Sequence, residues 1–375
     1  MKSKTKSFLK KYHTDPSLIN EETFLKNFKS ELTKKSSLKM AKTYIYKTHK
    51  PYQENKKCLV LDAGGTNLRG AIAYYKNKRI YFSNIKQIKM PYNNDKNKFY
   101  RALANFIKSI SRERLDIGFC FSFLCKMNKD LDGKIIDFGK NIKMKNVLHT
   151  FVAKELNTAL GYSTKIKIIN DSIASNLGIQ LELNKKGNYV SYILGTGTNI
   201  SYYEHNDLIN VETAGFNRFK LSTFEEEIIQ ETNKTDTFEK TCGGMYFSTI
   251  LNKALNQANK DQIIHLKKKV NLTLKEYENI PSNLFKDQES KLISKEIIDA
   301  LIKRIAIMNA LMLVAVINQN KTQITYLALE GTTLKKLPNF KHYLIQKITQ
   351  YIKPSKVKFI ESDNLNLKGA LAIVL

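Results

Sequence analysis

The 375-residue sequence holds only four cysteines: Cys58, Cys120, Cys125 and Cys242. None stands in a Cys-x-x-Cys pair and three lie in apolar segments. That pattern reads as reduced core thiols of a cytosolic protein, and it argues against a disulfide framework or a zinc site. The six histidines are scattered, with no spacing such as His-Glu-x-x-His. No apolar run reaches the ~20 residues that cross a bilayer. Residues 1–11 carry lysines with no apolar stretch behind them, which argues against a secretory signal. They also lack arginine, and Asp15, Glu21 and Glu22 follow soon after, so a solvated tail is expected rather than a transit peptide.

Acidic residues are scarce. Asp plus Glu number 34 against 62 Lys plus Arg, a formal net charge of +28. Such an excess raises nucleic acid or an anionic membrane as a partner. The basic residues are nevertheless dispersed. The densest runs, at the N-terminus and over residues 267–269, are not interleaved with aromatics or glycines. No zinc-finger, basic-zipper or RNA-recognition signature is present. A solvated basic surface, with neither nucleic acid nor membrane as partner, is the expectation.

Hydrophobic residues make up 42% of the chain, enough for a sizeable core, and the length suits two domains. The patterning predicts a helix over 16–48, strands over 58–62, 70–75 and 79–86, and a helix over 97–112. A strand over 117–123, a helix over 147–160 and a buried strand over 165–169 follow, the last ending in Asn170-Asp171. The second half predicts strands over 189–194 and 200–204, helices over 223–232, 237–258 and 293–318, a strand over 324–329, a helix over 338–352, a strand over 356–360 and a short apolar end. Two segments resemble each other: LDAGGTNLRGAIAYY at 61–75 and YILGTGTNISYYE at 192–204. Each is a strand, a Gly/Thr turn ending in Thr-Asn, and a returning strand. This is a weak internal repeat, in which two related halves each supply one phosphate-facing turn.

Glycine lets a backbone approach a phosphate closely, and threonine adds a hydroxyl donor. An acid at the strand end, Asp62, could hold Mg²⁺ or its waters, and Arg69 could meet charge developing on a transferring phosphoryl group. Neither turn is a P-loop, for Gly-x-x-x-x-Gly-Lys-Ser/Thr is missing. The run beginning at Gly195 is not a dinucleotide fingerprint, since Ile200 replaces its third glycine and a strand follows it. Asn170-Asp171 has two readings: a cap for the next helix, or a general base aimed into a cleft.

Taken in order, the motifs resemble the eukaryotic-type hexokinases and glucokinases, within the actin-like ATPase superfamily. Residues 61–69 resemble that family's first phosphate motif, and residues 36–44 the segment preceding it. GFCFSF at 118–123 is similar to the strand that carries a sugar-contacting serine, here Ser122. Phe138-Gly139-Lys140 resembles Trp-Thr-Lys, and LGTGTN at 194–199 the second phosphate motif. Asn210-Val211-Glu212 resembles Asn-Thr-Glu. Phe238-Glu239-Lys240 with Gly243-Gly244 resembles Tyr-Glu-Lys and its Gly-Gly. Residues 329–333 resemble the adenosine-side turn, and 359–362 followed by 368–370 the C-terminal nucleotide segment.

The resemblance implies an α/β, two-lobed actin-like ATPase (ribonuclease H-like) fold with a cleft between the lobes. It also implies an N-terminal helical segment over 1–55, a small lobe over 56–168 and a large lobe over 169–375. The implied activity is ATP-dependent phosphorylation of the 6-hydroxyl of glucose or a similar hexose. Asp171 would be the base, with Lys140 and Arg69 assisting. Ser122, Lys140, Asn170, Asn199, Glu212 and Glu239 would hold the sugar hydroxyls. Asp62, Gly64, Gly65, Thr66, Asn67, Arg69, Gly195, Thr196, Gly197, Gly331, Thr332 and Asn366 would hold ATP. Mg²⁺ would sit near Asp62 and Asp171 through water. A cytoplasmic monomer or homodimer is expected. There are departures from the family pattern: Gly139 for its threonine, Leu124 for a proline, Met245 for a lysine, Glu330 for an aspartate, and Leu365-Asn366-Leu367 for Gly-Ser-Gly. They erode the nucleotide side more than the sugar side, which motivates one alternative, a non-catalytic sugar sensor on the same fold.

Overall fold

The protein is represented by a computed structural model that describes residues 3–33, 38, 40–47, 51–139, 142–232, 235–320 and 324–375. Along the chain run α1 (Ser3–Lys11), α2 (Glu21–Glu31), β1 (Ala41–Tyr46), β2 (Cys58–Ala63), β3 (Asn67–Lys76), β4 (Arg79–Lys89) and α3 (Lys96–Ile110). Next come β5 (Ile117–Phe121), β6 (Leu124–Met127), β7 (Gly133–Asp137), α4 (Val152–Leu160), β8 (Ile166–Ile169) and α5 (Asp171–Leu183). Then follow β9 (Asn188–Leu194), β10 (Thr198–Glu204), β11 (Asp207–Asn210), α6 (Thr223–Glu231), α7 (Thr237–Cys242) and α8 (Gly244–Lys260). The chain ends with α9 (Gln288–Ile317), β12 (Thr325–Glu330), α10 (Thr332–Lys336), α11 (Phe340–Tyr351), β13 (Val357–Ile360) and α12 (Leu365–Ala372).

A five-stranded sheet has the order β4-β3-β2-β5-β8, and a six-stranded sheet the order β1-β11-β10-β9-β12-β13. From β11 onward the second order repeats the first: three consecutive strands, then the next two on the far side of the first. The repeat read from the two Gly/Thr turns is therefore also a repeat of topology. Strands β6 and β7 form a separate two-stranded sheet.

The chain divides into two compact units. One comprises residues 1–40, 192–200 and 211–359, the other 41–191, 201–210 and 360–375. In the second unit, β2 pairs antiparallel with β3 and parallel with β5, and β5 runs parallel to β8. Alternation along β2 sends Leu59 and Leu61 to one face, against Phe99, Leu103 and Ile107 of α3. It sends Cys58 and Val60 to the other, against Leu367, Ala370 and Leu371 of α12. Helix α3 opens on Asp95, whose carboxylate accepts from the Lys98 amide at 3.0 Å.

Helix α12 lies backbone against backbone on its neighbours. A Cβ added at Gly118 of β5 would sit 1.7 Å from the Ala370 carbonyl oxygen, and one at Gly369 would sit 1.8 Å from that of Ala174. Only glycine permits so close an approach.

In the first unit, α9 is apolar nearly all round, with Ile305, Ala306, Met308, Leu311 and Val314 all buried. Contrary to the expectation from the sequence, α9 is long and apolar enough to cross a membrane, but 94% of its most apolar window is buried inside the protein. That makes it a core helix. The N-terminal helices pack beside it: Thr5 Oγ1 donates to Glu296 at 2.6 Å, and Lys347 of α11 pairs with Glu21 at 2.9 Å.

Three elements differ from the sequence reading. The helix predicted over 16–48 is a single turn, α2 and then strand β1. Asn20 starts α2 afresh by accepting from the Thr23 amide, and AKTYIY alternates β-branched and aromatic residues as a strand does. The helix predicted over 237–258 is broken at Gly243, which is extended (φ −63°, ψ 138°), and the Thr196 and Glu239 carbonyls leave no room for a Cβ there. The apolar end is a helix, α12.

Candidate active site

In the unit built on the five-stranded sheet, strand register sets the site. Asp62 pairs with Arg69 on β3 and with Cys120 on β5, and Cys120 pairs with Ile169 on β8. Arg69, Asp62, Cys120 and Ile169 thus form one row across four strands. Immediately beyond that row the parallel strands β2, β5 and β8 end, releasing the turn from Gly64, then Ser122, then Asn170 and Asp171. Carboxyl ends of parallel strands are where open α/β sheets place their ligands. Residues more than a hundred positions apart in sequence are brought to one edge in this way.

Asn170, not Asp171, is the cap of α5: its Oδ1 accepts from the Ser172 amide at 3.0 Å. Asp171 Oδ1 accepts from the same amide at 2.7 Å, which fixes the carboxylate at the first turn of the helix. The positive end of the helix dipole favours an ionised acid there. Cys120 is buried beside both acids. Its thiol is pushed well up by burial and by the charges of Asp62 and Asp171, so it is inert at neutral pH. Burial also pushes the Asp62 carboxyl up. The Asn366 amide, the Arg69 charge and the Cys120 thiol oppose that rise.

The start of α12 faces this row. Asn366 Nδ2 donates to Asp62 Oδ1 at 3.2 Å, and Arg69 donates to Asn364 Oδ1. Asn364, the cap of α12, was not singled out from the sequence. Its only sequence signal is a position two residues before Asn366. Asn366 leaves its Oδ1 buried without a partner. Beside the Asp62 carboxylate this oxygen makes a hard donor pair of the kind that Mg²⁺ and its waters accept. Among the described residues no group of three or more His, Cys, Asp or Glu side chains could hold a metal alone. The donors therefore fit an ion that arrives with phosphates.

The glycines sort themselves by surroundings. A Cβ at Gly64, Gly65 or Gly195 would meet nothing within 4 Å, and none of the three has a left-handed φ. Packing does not require glycine at these positions, and the backbone there is open to solvent. Thr66 and Asn67 complete the first turn as exposed residues, and the Gly64 amide closes it by donating to the Asn67 carbonyl at 3.0 Å.

In the other unit the second turn closes when the Gly195 amide donates to the Gly197 carbonyl at 2.9 Å. Gly197 has a packing reason: its Cβ would fall 2.0 Å from Glu239 Oε2 on α7. Gly331 is left-handed (φ +113°), and its Cβ would strike the Leu194 carbonyl at 2.0 Å. It leads into Thr332 at the start of α10. Thr333, the last residue of the 329–333 segment, donates from Oγ1 to the Gly195 carbonyl at 2.6 Å and ties this turn to the second Gly/Thr turn. Asn199 Oδ1 accepts from the Glu212 amide at 3.0 Å. Glu212 is held at φ +57°, a conformation that costs a non-glycine residue on the order of 1 kcal/mol and recurs at functional sites.

Each unit thus carries its own set. One holds Asp62, the Gly64-Gly65-Thr66-Asn67 turn, Arg69, Ser122, Asn170, Asp171 and Asn366. The other holds Gly195, Thr196, Gly197, Asn199, Glu212, Glu239, Gly331 and Thr332. Lys140 lies outside the described residues, as do Ser36, Ser37 and Lys39 of the 36–44 segment. Gly139 is left-handed at φ +71°, a backbone reason for glycine where the family has threonine.

A hexokinase family model matches residues 4–179, and a second matches residues 189–375. Hexokinase-9 of Oryza sativa subsp. japonica is 25% identical over 240 residues, covering 52% of this chain and 46% of that protein. Hexokinase HKDC1 of Mus musculus is 30% identical over 117 residues, covering 29% and 12%. The Brugia malayi hexokinase is 20% identical over 331 residues, covering 73% and 58%. This chain therefore spans about half, or less, of the length of these relatives. Among solved structures, a Schistosoma mansoni hexokinase complexed with glucose superposes with a TM-score of 0.80 at 19% identity, covering 99% of this chain and 98% of that one. Another hexokinase structure gives 0.84 at 17% identity, covering 100% and 99%. The fold is the two-lobed sugar-kinase, actin-like one, and with hexokinase models matching both halves, the chain belongs to the hexokinase family.

Proposed function

We propose that the chain is an ATP-dependent hexokinase that phosphorylates the 6-hydroxyl of glucose or a similar hexose. The observation that carries the reading is the row Arg69–Asp62–Cys120–Ile169, beyond which Ser122, Asn170, Asp171 and the open Gly64-Gly65 backbone emerge together. Asp171 takes the proton from the 6-hydroxyl as its oxygen attacks the γ-phosphorus of ATP, and ADP leaves. Ser122, Asn170, Asn199, Glu212, Glu239 and Lys140 hold the sugar hydroxyls, since carboxylates and amides can each pair with two of them. The amides of the two Gly/Thr turns and Arg69 receive phosphate oxygens, with Gly331, Thr332 and Asn366 on the nucleotide side. Asp62 and Asp171 would hold Mg²⁺ through water, and the ion would neutralise phosphate charge.

Free, buried Cys58, Cys120 and Cys242 favour a cytoplasmic setting. We assign no nucleic-acid or membrane partner, and a monomer or homodimer as the working form. A coupled assay of glucose-dependent ADP release tests the activity. Release that requires both glucose and ATP supports it. Glucose binding by thermal shift, with no turnover across several nucleotide donors, would replace it with the sugar sensor.

A further inference from the structure

A cavity of about 320 Å³ opens in the unit that carries Glu239, and none of the described residues that line it belongs to a Gly/Thr turn. Its lining includes His13, Phe24, Arg218, Phe219, Lys220 and Arg304. Among the described residues, no acidic one lines it. Arg304 is 2% exposed. Its Nε and Nη2 donate to the Glu225 carboxylate at 3.2 and 3.1 Å, and Nη2 also donates to the Lys220 carbonyl at 2.8 Å. Its Nη1 makes no hydrogen bond to a described residue. A buried arginine normally satisfies all its donors, and one left over beside a cavity is a place for a ligand oxygen. Arg218 donates from Nη1 to Ser30 and Glu31 and from Nη2 to Asn27, so its position is set. The Lys220 ammonium and the His13 ring make no hydrogen bond to a described residue either.

The lining combines cationic and N–H donors with apolar rings, which suits a ligand of two parts. The donors suit a phosphate group. Phe24 and Phe219 pack tilted against each other, 5.9 Å apart at centroid, and give the lining an apolar wall that a ring could lie against. These rings also lead towards the sugar residues. Phe219 lies 5.5 Å and Phe24 6.5 Å from Phe238, the residue immediately before Glu239. Both also contact Phe216, four residues after Glu212.

We propose that this cavity is a second ligand site, for a small phosphate monoester with a flat ring, and that its occupancy alters sugar binding through the Phe24–Phe219–Phe238 stack. The coupling half rests on the hexokinase reading, whereas the binding half does not.

Phenyl phosphate is the probe, with inorganic phosphate and phenol as its two halves, titrated calorimetrically into the full chain. Thr23→Trp obstructs the cavity and Lys220→Glu reverses its charge. Both positions are exposed, so folding is preserved, and melting curves verify it. Arg69→Ala disables the first phosphate turn instead. The expected result is equal affinity for phenyl phosphate in wild type and Arg69→Ala, with at least about a tenfold loss in Thr23→Trp and Lys220→Glu. Each half alone binds at least about tenfold more weakly than the whole. Phenyl phosphate also shifts the KM for glucose in wild type but not in Thr23→Trp. Affinity unchanged in both cavity variants, or lost in Arg69→Ala and kept in Thr23→Trp, overturns the site. Binding at the cavity with an unmoved glucose KM overturns the coupling. An enzyme without turnover refutes the kinase reading and leaves the calorimetric result standing by itself.

Discussion

Asn366 donates to the carboxylate of Asp62 across 304 positions of sequence. The contact makes the start of α12 a support for the first phosphate turn, and Arg69 with Asn364 forms a second contact of the same kind. Supporting contacts of this sort orient the groups that do chemistry. Asn366→Ala is therefore expected to lower kcat and raise the KM for ATP, each by roughly tenfold, with the KM for glucose nearly unchanged. Steady-state kinetics with each substrate varied will test this. A rise confined to the glucose KM would contradict the assignment.

Asp171→Ala is expected to reduce turnover by about 10²–10⁴-fold while glucose still binds, because general-base catalysis contributes on that scale. The variant also loses an acid from the first turn of α5, which costs about 0.3–1 kcal/mol of stability. Asp171→Glu separates the two effects, since it restores the charge at the helix start but misplaces the base. A glucose-saturated Asp171→Ala enzyme with near wild-type kcat would remove Asp171 from the mechanism.

How much of this was legible before folding depends on the range of the interaction. Asn170-Asp171 and the two Gly/Thr turns are local patterns, and each stands at a strand end as expected. The register that joins Asp62, Cys120 and Ile169 is made by strands far apart in sequence, and no local pattern encodes it. Gly195 and Gly197 look alike in sequence, yet one borders open space and the other gives way to Glu239. Gly243 lies inside a helical pattern, yet it separates α7 from α8, and the carbonyls of Thr196 and Glu239 that demand a glycine there are a tertiary fact. The apolar character of the chain's end was readable, but helix α12, the Asn364 oxygen that accepts from Arg69 and the Asn366 amide that donates to Asp62 required the fold.

The raised Asp62 carboxyl gives a pH test. An acid whose folded value lies above its ordinary one keeps its proton longer in the folded chain than in the unfolded one. Stability is then fullest below the ordinary value of 3.8 and is lost as pH climbs through the raised folded value. Asp62→Asn cannot ionise and escapes that loss. It is expected to melt higher than wild type at pH 7, by roughly 2–4 °C for each kcal/mol gained. The two curves should converge towards pH 4 as Asp62 protonates. A variant that melts lower than wild type at pH 7 would show that the ionised carboxylate stabilises the fold instead. Turnover in Asp62→Asn is expected to fall in either case.

Two glycine-to-alanine changes should have opposite signatures. At Gly369 the new Cβ would meet the Ala174 backbone at 1.8 Å, and backbone cannot swing aside as a flexible side chain can. Overpacking of this kind costs about 1–3 kcal/mol or more, so Gly369→Ala is expected to lower Tm by several degrees. Because α12 carries Asn366, part of the kcat should go with it. At Gly65 a Cβ would meet nothing within 4 Å and the backbone needs no left-handed conformation. Gly65→Ala should therefore leave Tm within about 1 °C of wild type, the usual range for a change that touches no packing. Its KM for ATP should rise about tenfold, since the methyl group occupies the space a phosphate oxygen would approach. Differential scanning calorimetry and ATP-dependent kinetics on both variants separate the two outcomes. If Gly65→Ala keeps a wild-type ATP KM, the first turn does not cradle phosphate, and the open space beside it serves some other purpose.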